Sequence, residues 1–348
     1  MKYSFLNDYS EGAHPRILAA LADTNMLQTE GYGTDPFCGR ARWLILDEIK
    51  RDDSAVHFFV GGTQTNLTVA AAVLRPHQGV ISAETGHVGT HESGAIEATG
   101  HKVLTIPSPD GKLTAEAVDA LIRAHYDDPT AEHMVQPGMV YVSQPTELGT
   151  VYRKQELAAL AEVCRKYRIP LYLDGARLGC ALTCKGNDLT LSDIAALTDL
   201  FYIGGTKMGA LFGEALVINR PELGRDFRSI IKQRGGMLAK GRLLGLQFET
   251  LFTDRLYYTL SQHANDMAQR LADGIAALGY PFAAEAATNQ LFPILPKTVL
   301  ARLEEDFVFS VQYADDDTRD VIRLCTSWAT DAKQAERFLE KLKACTAR

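Results

Sequence analysis

The apolar and polar positions of the chain fall into two alternating rhythms. Short apolar runs of strand length are Ala55-Val56-His57-Phe58-Phe59-Val60, Gly79-Val80-Ile81-Ser82-Ala83-Glu84, His101 to Pro107, Gly138 to Gln144, Leu171 to Asp174 and Phe201 to Gly204. Between them lie stretches with helical spacing: Arg16 to Ala22 behind Pro15, roughly Gly39 to Lys50, Leu67 to Leu74, Thr114 to His125, Gln155 to Tyr167 and Leu191 to Ala196. Strands alternating with helices predict an α/β molecule. From Leu243 to Leu278 the helical periodicity is sustained, which predicts one long helix linking two domains. The remainder reads β-α-β-β-α: Gln290 to Leu295, Thr298 to Glu305, Val308 to Tyr313, Val321 to Thr326 and Ala332 to Ala344. The expected division is a large domain over 1–250 and a small C-terminal domain over 251–348. No internal repeat or low-complexity segment interrupts this order.

Composition narrows the class. The chain has 348 residues, 46% apolar and 23% charged, ordinary values for a soluble globular protein with a large core. A net charge of −7 gives no bulk attraction to nucleic acid or to a membrane surface. No apolar run reaches the ~18 residues of a membrane helix, and Met1 to Asp8 lacks the apolar core of a signal peptide. The cytoplasm is the expected compartment. The cysteines, Cys38, Cys164, Cys180, Cys184, Cys325 and Cys345, are dispersed. Cys180 and Cys184 read as neighbours on a helix face, and neither a disulfide framework nor a metal site is expected.

Candidate chemistry gathers at two strand ends. Phe201-Tyr202-Ile203-Gly204-Gly205-Thr206-Lys207-Met208-Gly209 runs an apolar strand into a glycine turn that presents one lysine. Desolvation there lowers the pKa of the amine, and a neutral amine can form a Schiff base. Leu171-Tyr172-Leu173-Asp174-Gly175-Ala176-Arg177 ends a second apolar strand in a carboxylate and a guanidinium, with chain enough between the two ends for a helical crossover. A lysine to hold an aldehyde and an acid to pair a pyridinium nitrogen are what a pyridoxal 5′-phosphate site needs. Ala55 to Val60, Gly61-Gly62-Thr63-Gln64 and the alanine-rich run behind them form strand, glycine turn and helix, a cradle for an anion. It is not a P-loop, since no Gly-Lys-Ser/Thr closes it. Such turns are also common in α/β proteins that bind nothing there.

These motifs resemble those of the threonine aldolase and β-eliminating lyase family, pyridoxal-phosphate enzymes of fold type I. Asp174-Gly175-Ala176-Arg177 and Gly205-Thr206-Lys207-Met208-Gly209 carry the resemblance, which extends over most of the chain. It implies a mostly parallel seven-stranded sheet with helices on both faces, an antiparallel strand at Gly213 to Asn219, and a small α+β C-terminal domain. It assigns the cofactor phosphate to Gly62, Thr63 and Gln64, the pyridinium to Asp174, and the aldehyde to Lys207, with Thr206 beside it. His87 is implied to stack on the cofactor ring, with His91 as its rival. The N-terminal arm, through Asn7 or Asp8, is implied to reach the substrate carboxylate. Gly31-Tyr32-Gly33-Thr34-Asp35-Pro36 resembles a family turn that brings Tyr32 near an active site, its own or that of a neighbouring subunit, and the basic loop from Lys232 to Arg242 offers Arg234 or Lys240 across a dimer interface. Each of these segments also has a plain reading, as a surface turn or a solvated basic loop.

Two positions shape the expected reaction. Where many threonine aldolases carry Asn-Thr-His, this chain has Pro145-Thr146-Glu147. A glutamate is a general base if apolar surface raises its pKa; otherwise Glu147 is loop polarity. Arg323 is a lone arginine in an apolar strand, expensive there unless paired. It is either half of a structural ion pair or, by resemblance, the clamp on a substrate α-carboxylate. Arg177 either assists that clamp or binds the cofactor 3′-oxygen. The expected activity is cleavage of a β-hydroxy-α-amino acid to glycine and an aldehyde, with Lys207, His87 and Glu147 as catalytic groups. The rivals are β-elimination to pyruvate and ammonia, and a cofactor-binding protein without turnover. The expected assembly is a homodimer or homotetramer with shared sites.

Overall fold

The structure is a computed structural model, and it describes residues 2–346. The strands are β1 (Tyr3–Ser4), β2 (Ala55–Phe59), β3 (Gln78–Ala83), β4 (Val103–Ile106), β5 (Gln136–Ser143), β6 (Leu171–Asp174), β7 (Leu200–Gly204) and β8 (Glu214–Ile218), followed by β9 (Gln290–Leu291), β10 (Ile294–Pro296), β11 (Phe307–Val308), β12 (Ser310–Ala314) and β13 (Arg319–Cys325). Seven of them form the large sheet, in the order β2-β8-β7-β6-β5-β3-β4. Pairing is parallel from β7 through β6, β5 and β3 to β4, while β8 runs antiparallel to both β2 and β7.

The lack of a polar face in the strand sequences has a direct cause: both faces of this sheet are buried. Val56, Ile81, Val140, Leu171, Leu173, Phe201, Ile203 and Val217 belong to one core. The residues of opposite phase, among them Phe59, Val80, Tyr141, Tyr172, Tyr202 and Leu216, belong to a second on the other face. The helix Gly62–Val73 lies on the second face, with Val69 and Ala70 in its core, whereas Pro36–Ile49 and Arg242–Phe252 cover the first. Because β2 and the parallel strands all point one way and β8 points back, their C-terminal ends and the start of β8 share one edge of the sheet. Open α/β sheets place their ligands at that edge.

A third core is built at the C-terminal end of the chain from β9, β10, the helix Lys297–Leu303, β13 and the helix Ala332–Thr346. Phe5, from the N-terminal arm, is fully buried in it, and β1 pairs in parallel with β11. Two sequence expectations need correction here. The periodicity from 243 to 278 is carried by two helices, Arg242–Phe252 and Leu256–Ala277, because Asp254 and Arg255 take left-handed backbone conformations with φ of 53° and 56°. The strand expected over 290–295 is split into β9 and β10. The long second helix does bridge the cores: Leu256, Tyr257 and Leu260 pack into the first, and Ala268, Leu271 and Ile275 into the third. Among the described residues no helix is long and apolar enough to cross a membrane. The six cysteines are buried free thiols.

Candidate active site

Except for β4, the strand ends on the shared edge each contribute part of one cavity of about 300 Å³. Gly61, Gly62 and Thr63 follow β2; His87 and Glu92 follow β3; Ser143, Pro145, Thr146 and Glu147 come from the end of β5; Asp174, Ala176 and Arg177 from β6; Tyr202, Thr206 and Lys207 from β7; and Glu214 opens β8.

Asp174 is buried and held on both oxygens. Tyr202 donates to Oδ1 at 2.5 Å and the Ala176 amide to the same oxygen at 3.0 Å. Tyr141 donates to Oδ2 at 2.7 Å and Asn66 at 3.1 Å. Asn66 is itself fixed by the Tyr172 hydroxyl and gives a second bond, 2.7 Å, to Glu92 Oε1. That oxygen also meets His87 Nδ1 at 2.8 Å. A continuous polar network therefore runs from the imidazole of His87 to the carboxylate of Asp174 inside a buried core, where each lost partner leaves an unsatisfied group. Burial and the Asp174 charge push the hydroxyls of Tyr141 and Tyr202 far up, so both remain donors. Burial pulls His87 down, but the bond to Glu92 and the charge of Asp174 outweigh it, and the imidazole titrates above its usual value. His91 lies outside the cavity lining, its ring 5.6 Å from that of His87, and titrates low through burial and the charges of His87 and Arg323.

Lys207 sits in the turn after β7 with its pKa lowered, first by burial and then by the charge of Arg177, against the pull of Asp8, Asp174 and Glu214. Glu147 is half-buried: its Oε1 accepts from Ser143 Oγ at 2.7 Å and from the His87 amide at 3.0 Å, and burial raises its pKa. The helix Gly62–Val73 begins at Gly61 without a side-chain cap, so its first amides point to the cavity rim with no capping partner. A Cβ at Gly62 would fall 2.8 Å from the Tyr202 hydroxyl, which explains the glycine. Gln64 does not line the cavity. Its Nε2 donates to the Arg234 carbonyl at 3.2 Å and its Oε1 accepts from the Val60 amide at 3.5 Å, so it ties the glycine turn to the basic loop.

Arg177 lines the cavity but is already engaged. It gives Nε and Nη2 to Asp8, at 2.6 and 3.0 Å, and Asn289 donates to the same carboxylate at 2.8 Å. Of the two arm residues, Asp8 is the one tied to the site, through Arg177, while their neighbour Tyr9 lines the cavity. Asn7 instead closes a turn, accepting from the Tyr9 amide and the Ser10 hydroxyl. Arg323 has no carboxylate partner among the described residues; Nη2 reaches the Leu6 carbonyl at 3.2 Å and Nε is buried without a partner. Tyr32, Arg234 and Lys240 stand outside this chain's cavity. Lys232 Nζ lies 4.6 Å from the centre of the Tyr32 ring, Arg234 Nε is buried without a partner, and Lys240 is exposed.

Residue chemistry read from the sequence missed Asn66, Glu92, Glu214 and the three tyrosines. The tyrosines did carry a signal: each of β5, β6 and β7 holds one, and Tyr172 shares the phase of Asp174, so all three face the carboxylate side of the sheet. The donor set fits pyridoxal 5′-phosphate. One cavity carries a lysine of lowered pKa, a carboxylate fixed by hydroxyls, an uncapped helix start, and two unpartnered buried carboxyl oxygens, Glu92 Oε2 and Glu214 Oε2.

Comparison with known proteins agrees with this arrangement. Residues 9–297 match the family model described as Beta-eliminating lyase. The chain is 31% identical over 303 residues to the low specificity L-threonine aldolase of Pseudomonas aeruginosa, covering 86% of this chain and 84% of that protein. Its fold is similar to that of Leishmania major threonine aldolase, with a TM-score of 0.96, 50% identity and 99% of each chain covered. Aspartate aminotransferase from Thermus thermophilus, at 16% identity and a TM-score of 0.72, shares the fold alone. With the family model spanning the large sheet and every strand end that lines the cavity, the chain belongs to the beta-eliminating lyase family.

Proposed function

We propose that this protein is a pyridoxal 5′-phosphate-dependent aldolase that cleaves a β-hydroxy-α-amino acid into glycine and an aldehyde. The observation that carries the reading is the convergence of Lys207, Asp174, His87 and Glu147 on one cavity. The similarity to enzymes named threonine aldolase supports it. When bound, the cofactor supplies an electron sink for the charge left at Cα. Lys207 is the group that bonds its aldehyde, since burial keeps the amine uncharged more readily than in water. Asp174 holds a proton-bearing ring nitrogen, with Tyr141, Tyr202 and Asn66 fixing both of its oxygens. The first amides of the helix Gly62–Val73, with Gly62 and Thr63, hold the phosphate, and Gln64 braces that turn from behind. His87, oriented by Glu92, would be the group that packs against the cofactor.

The substrate carboxylate is held by Arg323, whose Nε has no other partner. Arg177, neutralised by Asp8, shapes the pocket beside it. Glu147 takes the proton of the β-hydroxyl as the Cα–Cβ bond breaks, its raised pKa bringing it nearer to the range of a base at neutral pH. The reading includes a cytoplasmic homodimer or homotetramer in which Tyr32, Arg234 and Lys240 serve a neighbouring site. Exposed Leu18, Met26, Leu27, Tyr32 and Trp43 support a covered surface in that part of the chain. It also includes a division of the chain near residue 250.

The test is product identity. Purified protein reconstituted with pyridoxal 5′-phosphate is given L-threonine, L-allo-threonine and phenylserine, and aldehyde, glycine, pyruvate and ammonia are measured. Aldehyde and glycine in equal amounts are expected, and pyruvate with ammonia would move the assignment to the eliminating lyase. Glu147→Gln, which keeps acceptor geometry for Ser143 and His87, is expected to lower kcat by roughly 10²–10⁴-fold with a smaller change in KM. Unchanged kcat would remove Glu147 as the base.

A further inference from the structure

Strand β8 returns antiparallel beside β7 immediately after the lysine turn, and its first residue, Glu214, stands in register with Gly204 of β7 and Phe59 of β2. The side chain is 5% exposed and lines the same cavity as Lys207 and Asp174. The turn holds it by one oxygen. The Gly213 amide donates to Thr206 Oγ1 at 3.0 Å, and that hydroxyl donates to Glu214 Oε1 at 3.3 Å. The other oxygen, Oε2, is buried with no partner. A carboxylate so placed is costly unless the free oxygen carries a proton or exchanges one with a neighbour.

The titratable groups around it come from every packed element. Lys207 lies in the turn, Asp174 and Tyr172 on β6, Tyr202 on β7, and Tyr257 on the helix Leu256–Ala277. The edge strand β2 presents His57, whose ring lies 5.2 Å from that of Phe227. The charge of Lys207 opposes the rise of the Glu214 carboxyl. Arg177 acts on Lys207 from the other side.

We propose that Glu214 is the proton partner of Lys207: its free oxygen Oε2 takes the proton that the Lys207 ammonium must lose before its nitrogen attacks a carbonyl, and returns one when the lysine is released. The inference rests on the reading of Lys207 as the cofactor lysine. The transfer balances within the pair: an N–H bond breaks as an O–H bond forms, and a positive and a negative charge vanish together, leaving no net charge buried. When an amine condenses with an aldehyde, the nitrogen gives up two hydrogens and the oxygen departs as water, so no oxidant or reductant is needed. Glu214 acts through Lys207 and is a positioning residue for that lysine's proton.

Two opposed shifts favour the exchange. Burial pushes the Glu214 carboxyl up to about 8, reinforced by Asp174 and offset by Lys207, while burial and Arg177 bring Lys207 down. Their proton affinities converge, the condition for a proton to move either way at small cost. Below that range both groups keep their protons and the ammonium has no base to take one. Above it the carboxylate forms and can take that proton, which frees the amine for attack.

The experiment follows uptake of pyridoxal 5′-phosphate by the cofactor-free protein, read by visible absorbance across pH in wild type, Glu214→Gln and Thr206→Val. The infrared band of protonated carboxyl is recorded on the same samples. Expected are a wild-type uptake rate that falls below about pH 8, displacement of that acid limb and loss of one carboxyl band in Glu214→Gln, and a limb moved to higher pH in Thr206→Val. The last direction follows because the Thr206 hydrogen bond lowers the Glu214 pKa. Identical profiles in wild type and Glu214→Gln would overturn the proposal alone. Absence of any bound-cofactor absorbance in wild type would remove the cofactor-lysine reading and the proposal with it. If Glu214→Gln does not fold, the Thr206→Val shift decides: an unmoved limb overturns the assignment.

Discussion

At the scale of single residues, the site is governed by which buried charges have partners. Asp8 is fully buried and pairs with Arg177 through two hydrogen bonds, although the two are 169 positions apart in sequence. Burial pushes the Asp8 carboxyl up, but the charges of Arg177 and Lys207 outweigh it, and its folded-state pKa is lowered. Asp8→Ala strands a buried guanidinium and is expected to cost roughly 3–5 kcal/mol, read as a lower urea midpoint near neutral pH. A lowered carboxyl pKa gives stability that is present above the unfolded value and lost as pH falls through the folded one. The gap between wild type and Asp8→Ala is therefore expected to narrow in acid; a gap that widens there would remove the ion pair as its cause. Lys207 and Asp174 were legible because each ends an apolar strand, where a lone charge stands out. Asp8 was reached only through the family resemblance, as one of two arm residues, because its own chemistry looks like arm polarity; Glu214 was not legible, because it looks like a strand's first residue and only folding brings it to the lysine.

Among the elements, the lysine turn is supported by a helix that sequence rules would misjudge. Gly245 lies inside the helix Arg242–Phe252, where alanine is ordinarily better by about 1 kcal/mol. Here a Cβ would fall 2.5 Å from the backbone nitrogen and Cα of Cys38 on the helix Pro36–Ile49, so the glycine permits close helix contact. Two residues on, Gln247 Oε1 accepts the Leu211 amide at 2.7 Å, and the Phe248 ring lies 3.0 Å from the Cβ position of Gly205. The contact between the helices thus fixes the segment around Lys207. Gly245→Ala is expected to destabilise by roughly 1–3 kcal/mol, opposite in sign to propensity, in a urea titration. It should also slow cofactor uptake. A gain in stability would show that the two helices can separate freely. The break at Asp254 and Arg255 was invisible for a related reason: Leu251, Leu256 and Leu260 keep the apolar rhythm across it, and nothing in the pattern marks two non-glycine residues as left-handed.

Over the whole molecule, the α/β class was legible as alternating strands and helices, because strands buried on both faces lose their polar alternation; the order of strands in the sheet was not. The place of the N-terminal arm was not, since Phe5 joins a core made mostly from residues near the other end of the chain. The same scale decides the role of Tyr32 and Lys240, which stand outside this chain's cavity. Their loops are one unit: the Tyr32 amide donates to the Ala239 carbonyl at 3.2 Å, and a Cβ at Gly241 would fall 2.5 Å from the Gly33 nitrogen. A unit that rigid, carrying a lysine and an aromatic, is suited to complete a site in a second copy of the chain. If it does, Lys207→Ala and Lys240→Ala disable different halves of a shared site. Each variant alone is then expected to be weak. Mixed after unfolding and refolding together, they form hybrids in which one site has both lysines. Random pairing of dimers makes about half of the molecules hybrid, each with one intact site of two, so about a quarter of wild-type activity returns. If both lysines serve the same chain's site, no pairing of subunits restores one, and the mixture stays at the average of its parents.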